Sequence, residues 1–307
     1  MDARPGTSSA DFAGYLARLG FGGTALPPTY ETLAALHRAH VERIAYECID
    51  HHVPRATPLA ASESVARLTA GRGGYCFHLN GAFSELLRHL GFAVTRHRAA
   101  VRHAADGPVE RDHHLALTVV ADGMPYLADV GLGDGIHDPL PLRPGSYTQG
   151  PYTYTVGRTG AGWRFTHDPR GSFRMFEFDD APARLPDDFA AVHEWFATSP
   201  ESGFVRTLTV QRRDAAGTDV LRGCVLRRTD ATGETSHEID TAEEWYATMT
   251  GLFGLDLGDL DAATRERLWT KTRTAHLAWR ASREAPDGVR SSGTGPAGAV
   301  RRVGDHE

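Results

Sequence analysis

A chain of 307 residues with 41% hydrophobic and 23% charged side chains has the composition of a globular protein able to bury a core. Its formal net charge of -6 supplies no basic field for nucleic acid or an anionic membrane surface. No apolar run approaches the ~18 residues of a membrane span, and the N-terminus MDARPGTSSADFAGYLARLGF lacks the apolar stretch of a secretory signal, so the expected compartment is cytoplasmic.

Residues 11–91 read as helical, with apolar residues at helical spacing in ETLAALHRAHVERIAY. The segment 77–90 puts Phe83, Leu86, Leu87 and Leu90 on one face, and Gly91 suits a helix C-terminus. The pattern then turns to strands: FAVTRHRAAVRH, HLALTVVA and PYLADVGL, with a hairpin signal at Asp122-Gly123 between the last two. GWRFTHD, SFRMFEFD, FVRTLTVQRR and VLRGCVLRR continue it as further strands. Helices are expected near 186–197, 241–253 and 262–282, and residues 283–307, rich in Gly, Ser, Arg and Pro, are expected to be disordered. Helices, then strands, then a mixed segment make an α+β chain rather than a wound parallel sheet.

Three cysteines, Cys48, Cys76 and Cys224, form no CxxC pair, so no Cys-based metal site is expected and the thiols read as free. The sixteen histidines include the pairs His51-His52 and His113-His114, neither at metal-helix spacing, and most are expected on the surface.

Cys76 stands apart because it sits in GRGGYCFHLN, where Gly73 and Gly74 permit a tight turn and a helix begins at about Cys76. A thiol there feels the positive end of the helix dipole, which stabilises a thiolate. The same free N–H groups suit an oxyanion in acyl transfer. Cys48 and Cys224 lack such surroundings and read as packing residues.

A two-residue turn at Asp122-Gly123 pairs residue 121 with 124, which places His114 opposite Gly131 and Asp129 opposite Ala116. His114 and Asp129 are then diagonal neighbours on one face, within reach of each other, while His113 points to the opposite face. The acid orients the imidazole and the imidazole activates the nucleophile, so Cys76, His114 and Asp129 form the candidate triad.

These residues resemble the arylamine N-acetyltransferase family. Its RGGxCxExN pattern is matched by Arg72-Gly73-Gly74-Tyr75-Cys76-Phe77-His78-Leu79-Asn80, and its His block by HLALTVVADGMPYLADVGLG. Its Phe-Glu-Asn block resembles Tyr46-Glu47-Cys48, its Thr-Ser-Pro block Thr198-Ser199-Pro200 followed by Phe204, and its C-terminal block LFGLDL at 252–257. The resemblance implies an N-terminal helical bundle over 1–91, a central antiparallel β-barrel over 92–190 and a C-terminal α/β lid over 191–282, around a core like that of cysteine proteases. It implies acetyl-coenzyme A as cosubstrate, no permanently bound cofactor or metal, and ping-pong transfer through an acetyl-cysteine to a small aromatic amine or hydrazine. It also implies a structural ion pair of Arg72 with Glu47, an acceptor pocket of Tyr46, Leu132 and Phe204, and Gly131, Gly133 and Ser199 near the coenzyme. The chain departs from the family at His78 (usually Glu), Cys48 (usually Asn) and Leu132 (usually Phe). Two alternatives stand beside this reading: an amide synthase acting on a coenzyme- or acyl-carrier-protein-bound chain, and a hydrolase of the papain or transglutaminase kind.

Overall fold

Asp11 and Thr29 open the first two helices of the computed structural model, which describes residues 11–23, 25–53, 55, 57–103 and 113–284. The Asp11 carboxylate accepts from the Gly14 amide at 2.8 Å above α1 (Phe12–Leu19), and the Thr29 hydroxyl caps α2 (Tyr30–Arg43). A short strand β1 (Tyr46–Glu47) and a 3₁₀ turn lead to α3 (Ala61–Thr69) and α4 (Cys76–His89). Gly91, at φ 90°, ends α4, and Phe92 returns its amide to the Leu87 carbonyl at 3.0 Å. The apolar face expected of α4 is buried at Phe83, Leu86 and Leu87, against Leu33, Leu36 and Leu68 of the bundle and Leu117 and Val119 of the following sheet.

That sheet contains β2 (Ala93–Arg102), β3 (His114–Ala121), β4 (Met124–Leu127), β5 (Leu140–Pro141), β6 (Gly145–Gln149), β7 (Tyr152–Arg158), β8 (Gly162–Thr166) and β9 (Met175–Asp179). The strands run antiparallel in the order β5-β4-β3-β2-β9-β8-β7-β6 and make a barrel-like sheet filled by Tyr152, Tyr154, Phe165, Phe173, Phe176 and Phe178. The β3–β4 hairpin has the expected register, Ala121 opposite Met124, with Asp122 and Gly123 both at positive φ.

The C-terminal part begins with α5 (Ala190–Thr198) and α6 (Gly203–Arg206). It continues through β10 (Thr209–Arg213), β11 (Gly217–Arg222), β12 (Val225–Asp230) and β13 (Gly233–Glu238), then α7 (Ala242–Ala247), a π-helical turn and α8 (Ala262–Glu284). The second sheet has the order β1-β10-β11-β12-β13, so a strand from the N-terminal helical region forms its edge. Trp245, Met249, Phe253 and Leu268 cover one face of this sheet. Among the described residues no helix is long and apolar enough to cross a membrane.

Several expectations change. FVRTLTVQRR opens as helix α6, and VLRGCVLRR is two strands because Gly223 turns the chain at φ 59°. The strand expected at PYLADVGL stops at Leu127. Nor are most histidines at the surface: eight are buried. His37 and His40 stand edge-on to Phe83, and burial holds His37 at about 4 and His40 well below its ordinary value. The tail expected to be disordered lies, beyond Glu284, outside the described residues.

Candidate active site

Cys76 is the first residue of α4, with only 4% of its surface exposed. No side chain caps the helix, and the Tyr75 carbonyl accepts from the His78 and Leu79 amides. Neither Gly73 nor Gly74 takes a positive φ, and at both the missing side chain lets other groups come close. A Cβ on Gly73 would lie 2.1 Å from the Ala45 carbonyl oxygen, and one on Gly74 would lie 2.7 Å from the His78 Cβ.

The Asp129 carboxylate accepts from His114 Nε2 at 2.6 Å, and both side chains are almost fully buried. The β3–β4 ladder ends at Thr118–Leu127, so Asp129 reaches His114 from the loop just past the strand. Nε2 is engaged by the acid, which leaves Nδ1 for the thiol. Burial works against protonation of His114, but the charge and hydrogen bond of Asp129, with contact from Cys76, outweigh it and raise the ring to about 10. His113 contributes its backbone carbonyl, 3.9 Å from Cys76 Sγ, while its ring lies against Phe196.

Asn80, one helical turn beyond Cys76, closes the RGGxCxExN match, but its role was missed in the sequence. Its amide nitrogen donates to Asp129 Oδ1 at 2.7 Å and to the Leu115 carbonyl at 2.6 Å, and its oxygen accepts from the Val130 amide at 2.9 Å. The i, i+4 spacing from Cys76 was the available signal, since it puts both on one helical face. The loop after Asp129 is held further by His37, whose Nδ1 meets the His137 carbonyl at 3.0 Å, and by His137, whose Nε2 meets Glu42 at 2.6 Å.

Gly131 and Gly133 are both places of close approach. A Cβ on Gly131 would lie 2.9 Å from Cys76 Cα and 2.5 Å from Asn80 Nδ2; one on Gly133 would lie 2.4 Å from Gln211 Cβ and 2.8 Å from Tyr46 Cβ. Tyr46 and Phe204 join an apolar cluster containing Cys76, Tyr75, Phe77, Leu115 and Phe196. Leu132 packs instead against the interior of the barrel-like sheet. Ser199 is half-buried just after α5, where its hydroxyl accepts from the Glu201 amide at 3.2 Å.

Arg72 does pair with Glu47, at 3.2 Å, inside a larger network. Arg67 joins both Glu47 and Asp50, and Arg72 also meets Asp50 at 2.9 Å and Asp259 at 2.7 Å. Burial disfavours the Glu47 charge, but the two arginines outweigh it and hold its carboxyl at about 2. His78 is held at about 3 by burial and packs edge-on to Tyr75, 4.8 Å between ring centres. Cys48 is pushed to about 12 by burial, and burial also raises Cys224, so neither is an activated thiol.

A family model described as N-acetyltransferase matches residues 29–262. The chain is similar to an arylamine N-acetyltransferase of Mycolicibacterium smegmatis, 34% identical over 266 residues that cover 81% of this chain and 94% of the relative. It is also similar to the proansamycin X synthase of Amycolatopsis mediterranei, 31% identical over 45% of this chain and 55% of the relative. Among solved structures, an arylamine N-acetyltransferase of Mycobacterium marinum in complex with CoA superposes with a TM-score of 0.77 at 28% identity, covering 86% of this chain and 99% of that one.

Proposed function

The chain belongs to the arylamine N-acetyltransferase family, and from that membership we propose that it moves an acetyl group from acetyl-coenzyme A to an aromatic amine or hydrazine through an acyl-cysteine on Cys76. The observation that carries this reading is the contact of Asp129 with His114 beside a thiol at a helix N-terminus. The resting pair is a Cys76 thiolate and a His114 imidazolium. The sulfur attacks the thioester carbonyl, and a backbone amide at the start of α4 receives the developing oxyanion. The C–S bond to the coenzyme breaks, and its thiolate takes the proton from His114. Acylation removes the charge of Cys76, one of the influences that raise His114, so the ring is left more disposed to act as a neutral base. The amine then attacks the acyl-cysteine, His114 accepts its proton, and the Cys76 thiolate departs.

In this reading Tyr46, Leu132 and Phe204 border the acceptor, Gly131, Gly133 and Ser199 lie along the coenzyme, and 191–282 acts as a lid over a bundle of 1–91 and a barrel of 92–190. Similarity to the proansamycin X synthase, together with an aliphatic residue at 132, favours amide synthesis from a longer or carrier-borne acyl chain as the second reading. Intact-mass measurement tests both. Wild type should gain one acetyl group from acetyl-coenzyme A, located on Cys76 by peptide mapping, whereas Cys76→Ala and Cys76→Ser should gain none. An adduct on Cys48 or Cys224 would overturn the assignment, and uptake from longer thioesters alone would favour amide synthesis.

A further inference from the structure

Tyr75 stands immediately before the nucleophile and is fully buried, yet its side chain takes no part in the chemistry described above. Its ring is held on several sides. His78 lies edge-on at 4.8 Å between ring centres and His51 edge-on at 5.2 Å. Phe204 of α6 adds a tilted contact at 5.3 Å, and Phe196 of α5 an edge contact at 6.1 Å. With the ring so placed, the hydroxyl meets one group, Nδ1 of His193 on α5. The direction of that hydrogen bond follows from the far side of the imidazole. His193 Nε2 meets the Thr57 carbonyl at 2.7 Å, and a carbonyl only accepts, so Nε2 carries the proton. Nδ1 is then the bare nitrogen of a neutral ring, and the Tyr75 hydroxyl donates to it. Burial keeps the ring neutral by pushing His193 below its ordinary value.

The run from Tyr75 through His193 to Thr57 therefore ties α5 both to the start of α4 and to the segment before α3. α5 needs such a tie, because only Phe196 of its nine residues is buried. What places α5 also places Phe204. The buried Ser202 hydroxyl donates to the Phe196 carbonyl at 2.8 Å and accepts from the Phe204 amide at 3.2 Å. The Phe204 ring is backed by Phe196, edge-on at 4.8 Å, and by His51, stacked at 5.3 Å, so it shifts only if α5 shifts.

We propose that Tyr75 and His193 are positioning residues for the amine acceptor: their hydrogen bond latches α5 to the catalytic helix, fixes Phe204 through Ser202, and so favours single-ring amines over fused-ring ones. The proposal rests on the acyltransferase reading for the acceptor, but the latch itself can be measured without turnover. Tyr75→Phe keeps the ring and removes the hydroxyl. His193→Phe keeps a ring and removes both bonds, whereas His193→Asn keeps an acceptor near the place of Nδ1. In the two Phe variants the amides of α5 should exchange with deuterium about tenfold faster, and those of α8 at the wild-type rate. KM for aniline should rise about tenfold, and the preference for aniline over 2-aminonaphthalene should fall by about as much, while acetylation of Cys76 by acetyl-coenzyme A keeps its rate. His193→Asn should stay within about threefold of wild type in each measurement. Unchanged exchange of α5 would overturn the proposal, as would equal losses in the two half-reactions or a His193→Asn protein no better than His193→Phe. Faster exchange of α5 in variants of a protein that takes no acetyl group onto Cys76 would uphold the latch and remove the acyltransferase reading; acetylation of Cys76 with unchanged exchange would do the reverse.

Discussion

Asn80 holds the outer oxygen of Asp129 at 2.7 Å from the helix that carries Cys76, while His114 holds the other oxygen at 2.6 Å from a strand. The acid is therefore oriented in part by the helix that carries the proposed nucleophile. This arrangement ties the separation of Cys76 and His114 to one amide side chain.

Replacing Asn80 by Ala should lower kcat/KM more than it lowers the melting temperature would suggest. It removes two donated bonds, one to a charged group, and leaves the Val130 amide and the Leu115 carbonyl buried without a partner. A hydrogen bond to a charged group contributes about 1.5–3 kcal/mol, equivalent to about ten- to a hundredfold in rate if it is lost in the transition state. Stopped-flow acetylation together with thermal unfolding checks it; wild-type rates in a destabilised Asn80→Ala protein would show that the residue serves folding alone.

His114 should titrate near pH 10 by NMR, and in Asp129→Asn it should titrate below 6.5, because burial is then no longer outweighed by the acid. The folded-state value lies above the ordinary 6.5, so the contribution of this ring to stability is complete below about pH 6.5 and is lost as pH rises through about 10. Denaturant unfolding of wild type and Asp129→Asn between pH 6 and 10 should show this slope in wild type alone. Equal slopes in the two proteins would sink the assignment.

Gly131→Ala should impair acetylation of Cys76 and destabilise the protein by ~1–3 kcal/mol, the usual cost of overpacking. The added methyl meets the Cα of Cys76 at 2.9 Å, and backbone at a helix start cannot move aside as a flexible side chain can. Normal acetylation in Gly131→Ala would mean that the loop yields without disturbing the thiol.

Leu132→Phe should improve transfer to small anilines by about tenfold or less, since an aromatic stack adds ~0.5–1.5 kcal/mol beyond burial. Acetylation of Cys76 should be unaffected, because neither sulfur nor coenzyme needs that ring. Because Leu132 packs against the barrel interior, the larger ring must turn outward to act. Separate stopped-flow measurement of the two half-reactions decides the matter, equal aniline rates counting against it.

The hairpin and the start of α4 were legible because each depends on local chemistry. Asp122-Gly123 takes the positive φ angles that a two-residue turn demands, and this set the register from Ala121–Met124 to Thr118–Leu127; the pairs expected beyond it, His114 with Gly131 and Asp129 with Ala116, lie outside the ladder. β7 was missed although Tyr152, Tyr154 and Val156 alternate inward; its signal was the period of two in YTYTV. The break at Gly223 was missed because a continuous β-forming run says nothing of the backbone angle one glycine will adopt. The buried network of Arg67, Arg72, Glu47, Asp50 and Asp259 was the least legible part. Its partners are distant in sequence, and no spacing rule joins Glu47 to Arg67.

The pairing of β1 with β10 has a bearing on how the chain is made. Tyr46 and Glu47 leave the ribosome long before Gln211 and Val210, their partners in the sheet. Until then β1 has its bridge to Gly74, beside the glycine pair that leads to Cys76, but lacks its sheet partner. The segment bearing Cys76 can collapse around its own apolar face, but its last hydrogen bonds must wait for residues beyond 209. A nascent chain arrested before that point carries a strand with one side open, and its solubility during synthesis depends on how quickly the remainder follows.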